Sequence, residues 1–369
     1  MFKAVAGYYK DNERLRLLVK IIAVWLISRA VMLLMVPVMN LIADEPHQWL
    51  YYMNPWDAEW YKGIVENGYQ PPKSSGMASW AFFPLYPLVC MAVRLVTMGS
   101  IDTYAVGMTV SNICIIIAVY YAVKYADIEL DMKKYNKKTV EDIIIFLMLA
   151  GPFAVYYGAM YTEALFILCV ILCFYNSARH NYMAAGIAAA MASATRIVGC
   201  MLVFVLITYM FMETCAECRA KHNSEMKDNK EAGIIDKCML IEEAGILIAG
   251  NISLASVIRT FIKNVIKEPK KLVAIMISPL GIFIYMNYLR YFCGDSWAFY
   301  HVQRAWRTQK MFPVIGVLFK SCTGQLSAAS GVKTLNGIIL GWLCVITLML
   351  YAAMIRKKHY ALGIFGIIV

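Results

Sequence analysis

Residues 182–212 read YMAAGIAAAMASATRIVGCMLVFVLITYMFM, thirty-one positions with a single charge, Arg196, near the middle. A bilayer core about 30 Å thick takes roughly 20 apolar residues of helix. The stretch is therefore either one overlong helix or a hairpin whose apex is Ala194-Thr195-Arg196. An arginine at the bilayer centre costs at least a few kcal/mol, whereas at an apex it reaches water. The hairpin is the favoured reading. The whole chain has the same character: 61% of its 369 residues are hydrophobic, 16% are charged, and the mean hydropathy is +0.59. Soluble domains carry about 25% charged residues. A water-soluble enzyme, a disordered chain and a coiled coil are excluded, and the expected fold class is an all-α polytopic membrane protein.

Working outward, a basic leader (Lys3, Lys10, Arg14, Arg16, Lys20) precedes the apolar stretch 15–42. That stretch is too long for a signal-peptide core, so it reads as a retained first span with a cytoplasmic amino terminus. Arg29 inside it is expected to be structural or to snorkel. Residues 44–100 form a first outer loop with interfacial helices; Pro84 and Pro87 make 82–98 interfacial or re-entrant rather than spanning. Further spans are expected at 106–123, at 143–158 with a kink at Gly151-Pro152, and at 164–178, 272–292 and 337–355. Residues 213–258 read as an insertion and 293–336 as a second outer loop. That loop carries Arg304, Arg307, Lys310, Lys320 and Lys333 against Asp295. Either the topology shifts by one span there, or those cations face something anionic. The single transmembrane domain, 1–369, ends in an apolar piece at 361–369 too short to span, as in a chain cut short of its last helices.

The net charge of +11 would suggest nucleic acid in a soluble chain. Here the base lies in short runs beside apolar segments, which positive-inside orientation and anionic membrane lipids explain. No nucleic-acid partner is expected. Most of the eleven cysteines sit singly in apolar runs and act as small hydrophobes. Cys215 and Cys218 with His222 and Cys238 have a spacing that matches no strong zinc pattern.

Three blocks can carry chemistry. In Trp56-Asp57-Ala58-Glu59-Trp60-Tyr61, an acid pinned between tryptophans loses water and gains basicity, which suits Asp57 to proton abstraction. Its aromatics either stack on sugar or anchor the loop among headgroups. Arg196 is a functional candidate because an ionisable residue in apolar sequence rarely stands idle, and guanidinium suits bidentate phosphate binding. The bland alternative is a salt bridge with Glu163. The third block runs from Gly294-Asp295 through Phe299, His301 and Gln303 to Arg307, with a bilayer-surface helix as its alternative. Phosphate-cradling P-loops, G-x-G-x-x-G, H-E-x-x-H and G-x-S-x-G are all missing. Nucleotide-sugar, ATP-driven and metalloprotease mechanisms therefore have no support.

Taken in order, Trp56-Asp57-Ala58-x-Trp60-Tyr61, Gly68-Tyr69, the aromatic-proline run 82–87, Tyr161-Thr162-Glu163, Ala194-Thr195-Arg196 and Gly294-Asp295…Ala298-Phe299…His301-x-Gln303…Trp306-x-Arg307 resemble the PIG-V family. This is the glycosylphosphatidylinositol mannosyltransferase 2 group and its prokaryotic relatives. The resemblance implies a GT-C-like helical bundle. It also implies a polyprenyl-phosphate sugar donor, typically carrying mannose, and a glycolipid or glycan acceptor at the non-cytoplasmic face. The class's essential first-loop acid maps to Asp57, with Glu59 assisting. Arg196, Arg307 and His301 are expected at the donor phosphate, and Trp56, Trp60, Tyr61, Glu163, Asp295 and Gln303 along the substrate. No cofactor is expected, and a divalent metal stays open. Trp60-Tyr61 looks more like the prokaryotic relatives, which favours a plasma membrane over an endoplasmic reticulum. The rival readings are a transporter or lipid flippase with Arg196 and Glu163 lining the pathway, and a noncatalytic scaffold subunit.

Overall fold

The computed structural model describes residues 12–42, 47–72, 76–228, 253–305, 314–323 and 332–368. They form helices and turns, and no strand occurs among the described residues. Among the described residues, four helices are long and apolar enough to cross a membrane: Glu13–Ile42, Thr103–Glu129, Ile197–Lys221 and Gly337–Arg356. A fifth crossing is available if Pro269–Ile277 and Leu280–Cys293, bent by 43°, count as one broken span. The chain divides into two compact units, one of Met1–Val203 with Val273–Ala305 and the other of Phe204–Leu272 with Trp306–Val369.

The first unit opens with α1 (Glu13–Ile42), apolar around its whole circumference as a lipid-facing helix should be. After α2 (Ala58–Asn67) and the short α3 (Leu85–Val96), α4 (Thr103–Glu129) starts at Asp102, whose side chain accepts from the amides of Tyr104 and Ala105 at 2.9 and 3.2 Å. At twelve residues α3 is too short to span, in keeping with its prolines.

The helix expected through 143–158 stops early. α5 (Lys137–Ala150) ends at Gly151, which is extended because the following Pro152 disfavours the helical region, and turns continue to residue 162. Backbone freed in an apolar medium must find partners. Here α1 and α4 supply them. Ser28 Oγ donates to the Leu149 carbonyl at 2.5 Å, and Arg29 Nη1 donates to that of Ala154 at 2.9 Å. Asn112 Nδ2 donates to the Gly158 carbonyl at 3.2 Å. Arg29 is 9% exposed, so it is a buried brace rather than a snorkelling side chain. A Cβ on Gly158 would stand 2.5 Å from its Nη1.

α6 (Glu163–Ala178) and α7 (Tyr182–Thr195) form an antiparallel pair, and α7 is built almost wholly from small residues. After α7 the backbone turns extended at Arg196 and runs through a 3-10 segment, Ile197–Met201, into α8 (Leu202–Asp228). A Cβ on Gly199 would lie 2.2 Å from the Ala192 carbonyl carbon. Residues seven apart in a continuous helix stand about 10 Å apart, so the chain doubles back at the expected apex. The segment expected as one span at 272–292 is instead α10 (Pro269–Ile277) and α11 (Leu280–Cys293), interrupted at Ser278-Pro279. Both lie backbone to backbone with α7: Gly186 faces Ala274, and a Cβ on Gly281 would come within 2.3 Å of the Ala190 carbonyl oxygen. Small residues buy this approach where lipid offers no hydrophobic drive between helices.

In the second unit, α9 (Leu254–Lys267) packs on the descending part of α8 through Phe211 and Phe261 and through Asn264, which donates to Glu217 at 2.8 Å. Lys271 reaches Glu213 at 3.1 Å and Glu268 at 2.8 Å. The helices α12 (Val314–Cys322), α13 (Val332–Arg356) and α14 (Tyr360–Ile368) pack in sequence, with Gly341 against the Ser321 backbone and Gly363 against Ile355. Cys238, and residues 229–252 of the expected insertion, lie outside the described residues.

Gly281→Ala tests the α7–α11 contact. Overpacking of this kind costs about 1–3 kcal/mol, so the melting temperature in detergent, followed by tryptophan fluorescence, should fall clearly below wild type. An unchanged melting curve would mean that the two backbones are not in contact.

Candidate active site

Asp57 occupies the residue before α2, where a side chain ordinarily caps the helix, yet its carboxylate makes no capping bond. The preceding Trp56 has φ of 51°, the left-handed region that a bulky residue rarely visits. Two hydrogen bonds through one side chain hold the turn. The Tyr161 hydroxyl donates to the Pro55 carbonyl at 2.5 Å and accepts from the Asp57 amide at 3.1 Å. Alongside, the Met160 amide donates to Asn54 Oδ1 at 2.7 Å. Desolvation pushes the Tyr161 hydroxyl up to about 12, so it stays protonated and keeps donating.

Two residues on, Glu163 begins α6 and Arg196 ends α7, and the antiparallel pairing puts these two ends together. Arg196 Nη1 donates to Glu163 Oε1 at 2.6 Å, with 42% and 29% of the two side chains exposed. With Nη1 committed, the guanidinium fork keeps donors for a second oxyanion. Glu163 Oε2 is buried without a partner among the described residues. Asp57 belongs to the same electrostatic group. Burial raises its carboxyl above the usual carboxylate range, the Glu163 carboxylate raises it further, and the Arg196 guanidinium pulls it back. A desolvated acid, a second carboxylate with a spare acceptor and a half-open guanidinium thus share one end of the first unit.

The aromatic residues divide by role. Tyr61 is buried, edge-on to Phe82, Tyr86 and Tyr161, with its hydroxyl 3.4 Å from Thr162 Oγ1. Trp60 stacks on Phe82 at 5.7 Å. Both rings belong to one cluster on Phe82. Trp56 is 74% exposed and is the one ring of the three presented outward. Glu59 bonds the Tyr104 hydroxyl at the start of α4, where Lys62 also sits over the Tyr104 ring at 4.7 Å. It turns toward α4 rather than toward Arg196.

Phe82 also joins this cluster to the third block. Phe82 gives its ring to Trp60 and Tyr61 and its carbonyl to the hydroxyls of Tyr69 and Tyr285, at 2.7 and 3.2 Å. Tyr285 and Phe83 then pack against Phe299, which lies in the turn Ala298–His301. Above this core Asp295 accepts from the Trp297 amide at 2.9 Å and meets His301 Nδ1 at 2.7 Å. That histidine contact holds the Asp295 carboxyl below its usual range. Gln303 follows on the 3-10 turn Val302–Ala305, half-buried, and Arg307 lies outside the described residues. Sequence reasoning misses Asn54, and it misses what Tyr161 and Phe82 do within the blocks it singles out: Tyr161 and Asn54 hold the Asp57 turn, and Phe82 links the aromatic blocks. Tyr161 stood in a recognised block, but nothing in its spacing announces a bond across a hundred positions. Cys215 and Cys218 form no disulfide, and no cluster of three metal-ligating side chains occurs among the described residues.

A family model described as "Mannosyltransferase (PIG-V)" matches residues 15–227, more than half of the chain. No curated protein and no solved structure matches it.

The charges around Asp57 fix the sign of two titration shifts. Its elevated carboxyl should fall toward the ordinary range in Glu163→Gln, where a repelling anion is gone, and rise further in Arg196→Gln, where the attracting cation is gone. Infrared titration of the carboxyl band, differenced against Asp57→Asn, reads both. Shifts of the same sign in the two variants would mean that Asp57 does not sit between those charges.

Proposed function

The chain belongs to the PIG-V mannosyltransferase family, a membrane glycosyltransferase by its family and its apolar helices, and from that premise we propose a specific reaction for it. A mannosyl unit passes from a polyprenyl-phosphate donor to a hydroxyl of a glycolipid or glycan acceptor, at the non-cytoplasmic face. The observation that carries the proposal is the grouping of Asp57, Glu163 and Arg196 at one end of the first unit.

The steps balance without an outside reactant. The acceptor oxygen attacks the anomeric carbon as its proton passes to the Asp57 carboxylate. The bond from that carbon to the phosphate oxygen breaks, and the electron pair leaves with the lipid phosphate. Attack opposite the leaving group inverts the anomeric centre. A phosphate monoester is already a good leaving group, so no organic cofactor or general acid is called for. What the step needs is a cation where negative charge gathers, and Arg196 keeps donors for it while Glu163 holds the fork in place. His301, oriented by Asp295, and the cation Arg307 are the further groups this reading puts near the donor phosphate. They give the basic second loop its anion. Trp56, exposed beside the base, offers a ring face to the sugar. Glu59 shapes the local field rather than moving the proton, in keeping with its bond to Tyr104. By the likeness of Trp60-Tyr61 to the prokaryotic relatives, the membrane is a plasma membrane.

Asp57→Asn and Arg196→Ala should each lower transfer by about 10²–10³-fold, the usual effect of removing one preorganised group, with both proteins still inserted in the membrane. Transfer of labelled mannose from polyprenyl-phosphate mannose, measured in membranes carrying equal amounts of each variant, checks this. Wild-type rates in either variant would discard that residue's role.

A further inference from the structure

We infer that Tyr161 is a positioning residue which sets the Asp57 carboxylate relative to the Glu163–Arg196 pair. This deepens the reading above and rests on its assignment of Asp57 as the base. Two of the segments that build the site, 54–57 and 160–163, lie more than a hundred residues apart, and Tyr161 belongs to one while binding the other. Its hydroxyl acts on both sides of a single residue, donating to the Pro55 carbonyl before Trp56 and accepting from the Asp57 amide after it. These are the two peptide groups whose orientation defines the turn at Trp56, the residue with φ of 51°. Left-handed backbone at a tryptophan costs of the order of 1–3 kcal/mol and persists only where the surroundings over-determine it. Tyr161 is a large part of those surroundings.

The other end of the link is equally fixed. Tyr161 is buried. Its carbonyl accepts from Ser111 Oγ at 3.3 Å, and Ser111 in turn meets the Tyr86 hydroxyl at 2.9 Å. Met160 beside it is fully buried against Gly107 of α4, where a Cβ would strike the Met160 side chain at 2.2 Å. Asn54 adds a parallel bond to the Met160 amide. The segment that starts α6 and carries Glu163 is thus anchored to α4, and through one phenolic oxygen it holds the turn that presents Asp57. Because Asp57 spends no bond on capping α2, its direction depends on that turn.

Tyr161→Phe removes one oxygen and keeps the ring contacts to Tyr61 and Tyr156. A displacement of about 1 Å at a catalytic group can cost 10²-fold. The expected result is a kcat lower by about 10- to 100-fold and a donor KM within about two-fold of wild type, in a protein that still inserts and stays folded at the assay temperature. In the Asp57→Asn background the same substitution should add no further loss, because its effect runs through that carboxylate. If Tyr161→Phe does not accumulate, Pro55→Gly loosens the same turn from its other side and carries the same expectation. A kcat within about two-fold of wild type in a folded Tyr161→Phe protein, while Asp57→Asn is inactive, would overturn the positioning role alone. So would an undiminished effect of Tyr161→Phe in the Asp57→Asn background. Full activity of Asp57→Asn would instead bring down the base assignment on which the role rests.

Discussion

An arginine with apolar residues on both sides has to find an anion or water, and Arg196 finds both. Its bond to Glu163 joins the first residue of α6 to the residue that ends α7. A partly exposed ion pair of this kind adds little net stability, since desolvation and side-chain ordering offset most of the Coulomb gain. Its consequence is geometric. A helix continuing straight through residue 196 would carry the guanidinium into lipid, where it costs several kcal/mol. The break at Arg196 and the close return at Gly199 bring it to the end of the bundle where Glu163 stands. The grouping of Glu163, Arg196 and Asp57 follows from that placement.

Arg29 shows that the residue type alone does not decide the outcome. It too interrupts an apolar stretch, but it is buried, it donates to the Ala154 carbonyl and the Met32 sulfur, and no carboxylate pairs with it among the described residues. It sits where α5 has stopped and the backbone wanders from 151 to 162. Carbonyls released there would be unsatisfied in hydrocarbon without a donor from α1. The irregular stretch that Arg29, Ser28 and Asn112 steady is the one that delivers Tyr161 and Glu163 to the site. One arginine braces the backbone, and the other pairs with a carboxylate and stays partly exposed.

These distinctions mark what can be read from sequence. The all-helical membrane class follows from the excess of apolar residues, and the apex at Arg196 follows from the cost of its charge. At Gly151-Pro152 the same reasoning overshoots, because a proline in apolar sequence is compatible with a kinked helix or a terminated one. Tertiary donors from α1 and α4 make termination cheap here, and they lie far away in the chain. Ser278-Pro279 hides for the same reason inside 272–292. Asp57 and Glu59 are both acids among tryptophans, separated by one residue, and local sequence cannot rank them. What separates them is that Glu59 meets Tyr104 while Asp57 is held by its backbone with its carboxylate free. Hydrogen bonds between segments a hundred residues apart leave no periodicity to read.

The basicity of Asp57 is a balance of three influences, and the proposed reaction moves one of them. Burial and Glu163 raise its carboxyl, and Arg196 lowers it. A donor phosphate settling on the free edge of Arg196 brings its own negative charge within the same poorly screened region. It cancels much of the one influence that keeps Asp57 a weak base. Under the proposed reading, Asp57 therefore becomes a stronger proton acceptor when the donor is in place, and it is weaker in the empty site. The bond from Glu163 to Arg196 matters in this account as a limit. By holding one nitrogen of the fork, it keeps the guanidinium from turning fully onto Asp57 and neutralising the base before the substrates arrive.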